Sequence, residues 1–206
     1  KCMQCGAWDS LVETIVVGKS KSKISLPAKQ PERFNAIVST NESRIATGNT
    51  EVDSVLGGGI VPGSLLLLAG DPGIGKSTLV LQLAAEIAKN NKVLYVSGEE
   101  SASQVKLRGS RVKDLHTEFD FLATTDVEDV LSLASSGNYQ LVIVDSIQTM
   151  ISQDLSGAAG TTSQITNNTN SLVRVAKSTN TAFIIIGHVT KEGNVAGPRI
   201  MEHLVD

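Results

Sequence analysis

Gly70-Asp71-Pro72-Gly73-Ile74-Gly75-Lys76-Ser77 follows the spacing G-x-x-x-x-G-K-[ST] without a gap. Each position has a physical reason to be there. Glycines reach backbone conformations closed to other residues, so successive N–H groups can turn inward around a phosphate. A helix opening near Ser77 adds its positive dipole end. Lys76 would reach the β and γ phosphates as a point charge, and the Ser77 hydroxyl would ligate Mg²⁺. Gly70, Asp71, Pro72, Gly73, Ile74, Gly75, Lys76, Ser77 and Thr78 are therefore the candidate cradle for ATP or ADP. A Gly-rich turn without a ligand is the competing reading. The flanks argue against it: the aliphatic run Leu65–Ala69 precedes the loop, and an amphipathic segment, Ser77–Lys89, follows.

Other residues could complete that chemistry. Leu141-Val142-Ile143-Val144-Asp145 is an aliphatic run ending in a carboxylate. At the end of a strand, Asp145 can hold Mg²⁺ beside Ser77, often through water. Glu99 and Glu100 follow the run Val93–Val96, where a carboxylate could orient or deprotonate an attacking water. Equally, they could be solvated loop acids favoured at a helix start. His188, after Phe183–Ile186, could contact a γ-phosphate or simply satisfy a strand end. Lys191 and Arg199 flank a stretch of small and turn residues and could reach a phosphate backbone, or be ordinary surface charge. Cys2 and Cys5 form one CxxC, half of a tetrahedral Zn²⁺ site or a pair of free thiols.

These residues need elements to position them. Leu65–Ala69, Val93–Val96, Leu141–Val144 and Phe183–Ile186 are short aliphatic runs that read as buried strands, with Phe119–Leu122 a shorter fifth. Between them Ser77–Lys89, Val127–Ala134 and Ile165–Lys177 have helical spacing. Thr125 and Glu128 stand at capping-box separation before the second of these helices, which should end near Gly137. Leu155–Thr162 is small and flexible and reads as a loop. Strands alternating with helices predict right-handed crossovers and an α/β fold: a mainly parallel twisted sheet with helices on both faces. Residues 1–10 form a cysteine-bearing piece and 11–43 a linker with one short strand at Leu11–Val17, ahead of a core over 44–206.

Composition agrees with this. The chain has 206 residues, room for one domain and a short appendage, and is 41% hydrophobic but only 3% aromatic, so its core must be aliphatic. The net charge of −3 does not by itself ask for nucleic acid or an anionic membrane. Two closely spaced cysteines are no secreted disulfide framework, and no run of about 18 apolar residues suggests a membrane span. A cytoplasmic location is expected.

Taken together, the motifs resemble those of the bacterial RadA (Sms) DNA-repair ATPases, relatives of RecA and of the hexameric replicative helicases. The segments that carry the likeness are Cys2-x-x-Cys5-Gly6-Ala7-Trp8, Val55–Ser64, the P-loop Gly70–Thr78 and Tyr95-Val96-Ser97-Gly98-Glu99-Glu100-Ser101. Lys106-Leu107-Arg108, Val144–Thr149, Gly187–Gly193, Ala196–Arg199 and Glu202–Asp206 extend it along the chain. The resemblance implies a RecA-type P-loop core with ATP and Mg²⁺ at the carboxyl edge of the sheet. It implies Glu99 as the catalytic glutamate with Glu100 the close alternative, and His188 as a γ-phosphate sensor. Lys191 to Arg199 would contact DNA. It further implies a DNA-repair and recombination ATPase that is stimulated by single-stranded DNA, promotes branch migration, works beside a RecA-type recombinase and assembles as a hexameric ring. A module that holds nucleotide with little hydrolysis is the alternative. The family's four-cysteine zinc finger is represented only by Cys2 and Cys5. Its Lys-Asn-Arg-Phe-Gly motif and Lon-like domain lie outside these 206 residues. Ser163-Gln164-Ile165-Thr166-Asn167 also departs from the Gln-Val-Arg-Glu run of the family.

Overall fold

The computed structural model describes residue 33 and residues 43–112, 115, 118–188, 201 and 203–206. The chain divides into two units, residues 1–40 and 41–206. Of the first, only the exposed Arg33 is described; Cys2, Cys5 and the expected strand Leu11–Val17 lie outside the described residues, as do Lys191 and Arg199 of the second. The second unit runs α1 (Thr50–Val55), β1 (Leu65–Gly70), α2 (Lys76–Ile87), β2 (Val93–Ser97), α3 (Ala102–Gly109), β3 (Asp120–Ala123), α4 (Val127–Ser136), β4 (Leu141–Asp145), α5 (Thr162–Thr179) and β5 (Ala182–His188).

The five strands form one sheet in the order β1-β5-β4-β2-β3, and every pairing is parallel. Side chains alternate across it. Val93, Tyr95, Leu141, Ile143, Ile184 and Ile186 face α2 and α3, meeting Val80, Leu83, Ala84, Ile87 and Val105. Leu94, Val96, Val142, Val144, Phe183 and Ile185 face the other way, onto Val127, Val130 and Ala134 of α4 and Ile165, Leu172 and Ala176 of α5. Burial on both faces is why the strands read as continuous aliphatic runs rather than alternating ones. Each fully buried Val, Leu, Ile or Phe among them stabilises the fold by about 1.5–3 kcal/mol.

The crossover direction decides where a ligand can sit. From β1 through α2 to β2, and on through α3 to β3, the chain travels one way across the sheet with its helices on one face. From β3 through α4 to β4, and through α5 to β5, it returns with its helices on the other face. The loops after β2 and β4, adjacent strands, therefore leave in opposite directions. A crevice opens at their carboxyl ends, the place where open α/β sheets bind ligands.

Several local expectations change. Helix α4 is capped by Asp126, whose side chain accepts from the Glu128 N–H at 2.9 Å, and not by a Thr125–Glu128 box. The Thr125 carbonyl is already engaged, accepting from Ile151 N–H at 2.7 Å, which holds Thr125 outside the helix. Glu128 instead accepts from the Ser152 hydroxyl at 3.2 Å. Strand β3 begins at Asp120, one residue late, and Phe119 packs against the Tyr95 ring with centroids 6.2 Å apart. Helix α5 begins at Thr162, earlier than its apolar spacing suggests. Its polar first turn is anchored by Gln164, whose amide donates to the carbonyls of Ser152 at 3.2 Å and Leu155 at 3.1 Å. Two short helices lacked an apolar signal. The Asn49 side chain caps α1, accepting from Glu51 N–H at 3.0 Å and Val52 N–H at 3.1 Å. Gln104 reaches back over α3 to accept from the Ser101 N–H at 2.9 Å, a Ser-x-x-Gln box that was present to be read. Among the described residues no helix is long and apolar enough to cross a membrane.

Candidate nucleotide site

The loop between β1 and α2 is built by its backbone. Gly73 has φ +83° and Gly75, the residue before α2, has φ +98°, a left-handed conformation that costs an L side chain about 1–2 kcal/mol. A Cβ at either would meet nothing within 4 Å. Conformation, not crowding, therefore calls for glycine at these two positions. Lys76 is buried, and its ammonium donates to the carbonyls of Gly70 at 2.7 Å and Asp71 at 2.8 Å. An ammonium has three donors, so one remains for an acceptor inside the loop. The Ser77 hydroxyl, partly buried at the start of α2, makes no hydrogen bond among the described residues. Asp71, Pro72, Gly73, Ile74 and Gly75 are exposed along the loop, and Thr78 is partly buried in the first turn of α2.

Sheet register brings the other candidates to the same edge. Gly70 pairs with His188 across β1 and β5, and Ser97 pairs with Asp145 across β2 and β4. The Asp145–Ser146 peptide is cis. The two adjacent glutamates part company here. Glu99 Oε1 accepts from the Ser146 hydroxyl at 2.6 Å and lies 3.2 Å from His188 Nε2. Its other oxygen has no hydrogen bond among the described residues. Glu100 turns toward α3, where its Oε2 meets Arg108 Nη1 at 2.8 Å.

Asp145 is buried, and its Oδ2 accepts from the Tyr95 hydroxyl at 2.8 Å. Arg108 Nη2 donates to that same tyrosine oxygen at 3.3 Å and stands 3.9 Å from Asp145 Oδ2. Burial first, then the Asp145 carboxylate, push the Tyr95 phenol well above the usual tyrosine range, so it remains a proton donor. Asp145 Oδ1 carries no hydrogen bond among the described residues. Tyr95, Arg108 and Ser146 received no role from sequence reasoning. Alternation within each strand was visible, but the pairing of β2 with β4, which puts Tyr95 and Asp145 on one sheet face, was not.

The loop tolerates no bulk beneath it. A Cβ on Gly98 would collide with the side chains of Thr149 and Met150, so only glycine lets the chain after β2 pass under the turn after β4. Among the described residues no three His, Cys, Asp or Glu side chains cluster as a protein-only metal site. Ser77 and Asp145, a hydroxyl and a carboxylate, suit instead a hard divalent cation shared with phosphate oxygens.

A parallel sheet covered on both faces, with this loop between its first strand and helix, defines a RecA-like P-loop nucleotide-binding domain. Residues 29–194 match the family described as AAA domain, and the chain belongs to it. Across its whole length it is 44% identical to the DNA repair protein RadA of Streptococcus pyogenes serotype M1 and to that of Halalkalibacterium halodurans, covering 46% of each. It is likewise 44% identical to the DNA repair protein RadA of Campylobacter jejuni, covering 47% of it. The chain thus spans about half the length of the curated relatives it matches.

Proposed function

We propose that the chain is the ATPase core of a DNA-repair protein, binding ATP with Mg²⁺ and hydrolysing it under stimulation by single-stranded DNA. The observation that carries this reading is the gathering at one sheet edge of Lys76 and Ser77 from the start of α2, Glu99 from the loop after β2, and Asp145 and His188 from the ends of β4 and β5. The loop N–H groups and Lys76 bind the phosphates. Ser77 and Asp145 would hold Mg²⁺, which neutralises phosphate charge as the reaction proceeds. Glu99 presents its unbonded oxygen to a water. The water oxygen bonds to the γ-phosphorus, its proton passes to Glu99, and the bond from that phosphorus to the bridging oxygen of ADP breaks. His188, 3.2 Å from Glu99, would register whether the γ-phosphate is present.

Lys191 and Arg199 are proposed to meet the DNA backbone, and Cys2 and Cys5 to contribute half of a Zn²⁺ site in a longer chain. The relatives' name supports DNA repair; branch migration of recombination intermediates, a RecA-type recombinase as partner and a hexameric ring follow from the resemblance. A second reading is a nucleotide-holding module with little turnover. It draws on Glu99 being bonded to both Ser146 and His188, contacts that could restrain a catalytic base. ATP hydrolysis by the chain with Mg²⁺, measured with and without single-stranded DNA, separates the two. Turnover that rises with DNA supports the repair ATPase. Nucleotide binding without turnover in either condition supports the module.

A further inference from the structure

We infer that Tyr95 and Arg108 are positioning residues for the divalent cation, holding the Asp145 carboxylate so that one oxygen faces inward and the other is kept for the metal. This rests on the reading of Asp145 as a cation-holding residue. The geometry is a relay across three elements. Arg108, on α3, spans two groups: Nη1 meets Glu100 Oε2 at 2.8 Å and Nη2 donates to the Tyr95 oxygen at 3.3 Å. With that lone pair occupied, the Tyr95 proton is directed onto Asp145 Oδ2, 2.8 Å away.

The rest of the tyrosine is fixed by packing. Its ring is fully buried, stacked on Phe121 with centroids 6.0 Å apart and tilted against Phe119 at 6.2 Å. Tyr95 lies opposite Ile143 on β4. Asp145 stands two residues further along the same sheet face, so the phenol spans the height of one side chain to reach it. Few aromatics are available to this chain, and three of them build this one post. The hydrogen bond from Tyr95 occupies a lone pair of Oδ2 and fixes the plane of the carboxylate, which favours contact with a cation through Oδ1. The carboxylate then presents a single oxygen, the geometry a small octahedral ion held partly by phosphates and water requires. Partners of this kind change metal affinity by about 10–100-fold when removed.

Arg108 also accounts for the separation of the glutamates. Its guanidinium draws Glu100 toward α3 and leaves Glu99 beside Ser146 and His188. A lysine there keeps the charge but loses the fork that touches Glu100 and Tyr95 together.

The test is equilibrium binding of a fluorescent, non-hydrolysable ATP analogue to the 206-residue chain, titrated with Mg²⁺ and repeated in EDTA. Tyr95→Phe keeps the buried ring and removes only the hydroxyl. It should raise the Mg²⁺ concentration for half-maximal enhancement about tenfold while leaving affinity in EDTA unchanged. Arg108→Lys should move the midpoint in the same direction, and the double variant should add little beyond the larger single effect, because both act through one bond. A midpoint for Tyr95→Phe within about twofold of wild type overturns the inference. So does an equal loss of affinity with and without Mg²⁺, the signature of a merely structural tyrosine. Wild-type protein that binds the analogue but shows no Mg²⁺ dependence, or none of the analogue at all, overturns the underlying site as well.

Discussion

The two halves of the site are built by different means. At β1 the phosphate cradle is a contiguous loop, made of backbone N–H groups and held by glycines at φ +83° and +98°. At β2, β4 and β5 the proposed catalytic side is a network of side chains up to 89 residues apart, Glu99 to His188 being the longest span. A loop made of backbone depends on local conformation and resists most side-chain changes around it. A network made of side chains depends on strand pairing and on every partner being present. The cradle should therefore fail by losing the ligand, and the network by losing turnover while the ligand stays.

The largest expected effect is Lys76→Ala. It removes the fixed cation from the cradle and should lower turnover by at least about 100-fold, with strongly weakened triphosphate binding. Steady-state hydrolysis and analogue titration check both; undiminished turnover would remove the cradle from the mechanism. Next is Glu99→Gln, expected to bind nucleotide normally and lose about 10²–10⁴ in turnover. Glu100→Gln should act less on turnover, because that carboxylate is already paired with Arg108. If the two variants exchange these behaviours, the separation of the glutamates described above is functionally reversed.

A smaller effect is expected from Gly75→Ala, which forces a Cβ into the left-handed region. The cost is about 1–2 kcal/mol, a drop of several degrees in the melting midpoint, with weaker nucleotide binding. Unchanged melting and binding would mean that the loop does not depend on the left-handed conformation of Gly75.

The smallest lies at the other end of β1. Asp206 accepts from Lys177 at 2.8 Å and from the Leu65 N–H at 3.0 Å. The Lys177 hydrogen bond is the main cause that holds its carboxyl below the usual carboxylate range. A depressed acid stabilises the fold above its unfolded value, near ~3.9, and that contribution is lost as pH falls through the folded value. Both side chains are about half exposed, so screening keeps the pair under about 1 kcal/mol. Lys177→Ala should thus lower the melting midpoint slightly near neutral pH and not at all in strong acid. An effect that persists in acid would point to packing instead of charge.

How much was legible beforehand differs between the same two regions. The strand, loop and helix around Gly70–Ser77 were readable, since an aliphatic run, a glycine spacing and an amphipathic period are local signals. Asp145 could be read as a strand-end acid, and Glu99 with Glu100 as a pair without a way to choose between them. Helix α3 escaped notice because Val105 is its only buried large apolar side chain. The Asp126 cap was misplaced by one residue because a hydrogen bond from Ile151, far along the chain, takes the Thr125 carbonyl.

What the sequence alone determined, then, is the cradle, the aliphatic sheet and the class of domain they form. Each is written in residues close together in the chain, where glycine conformations, side-chain period and buried aliphatic runs act locally. Only tertiary structure decided that β2 lies against β4 and β5 against β1. That order hands Asp145 to Tyr95 and Glu99 to Ser146 and His188. The reason is physical: parallel pairing joins strands through crossovers whose order no local pattern encodes, while hydrogen bonds between side chains exist only after those strands have met.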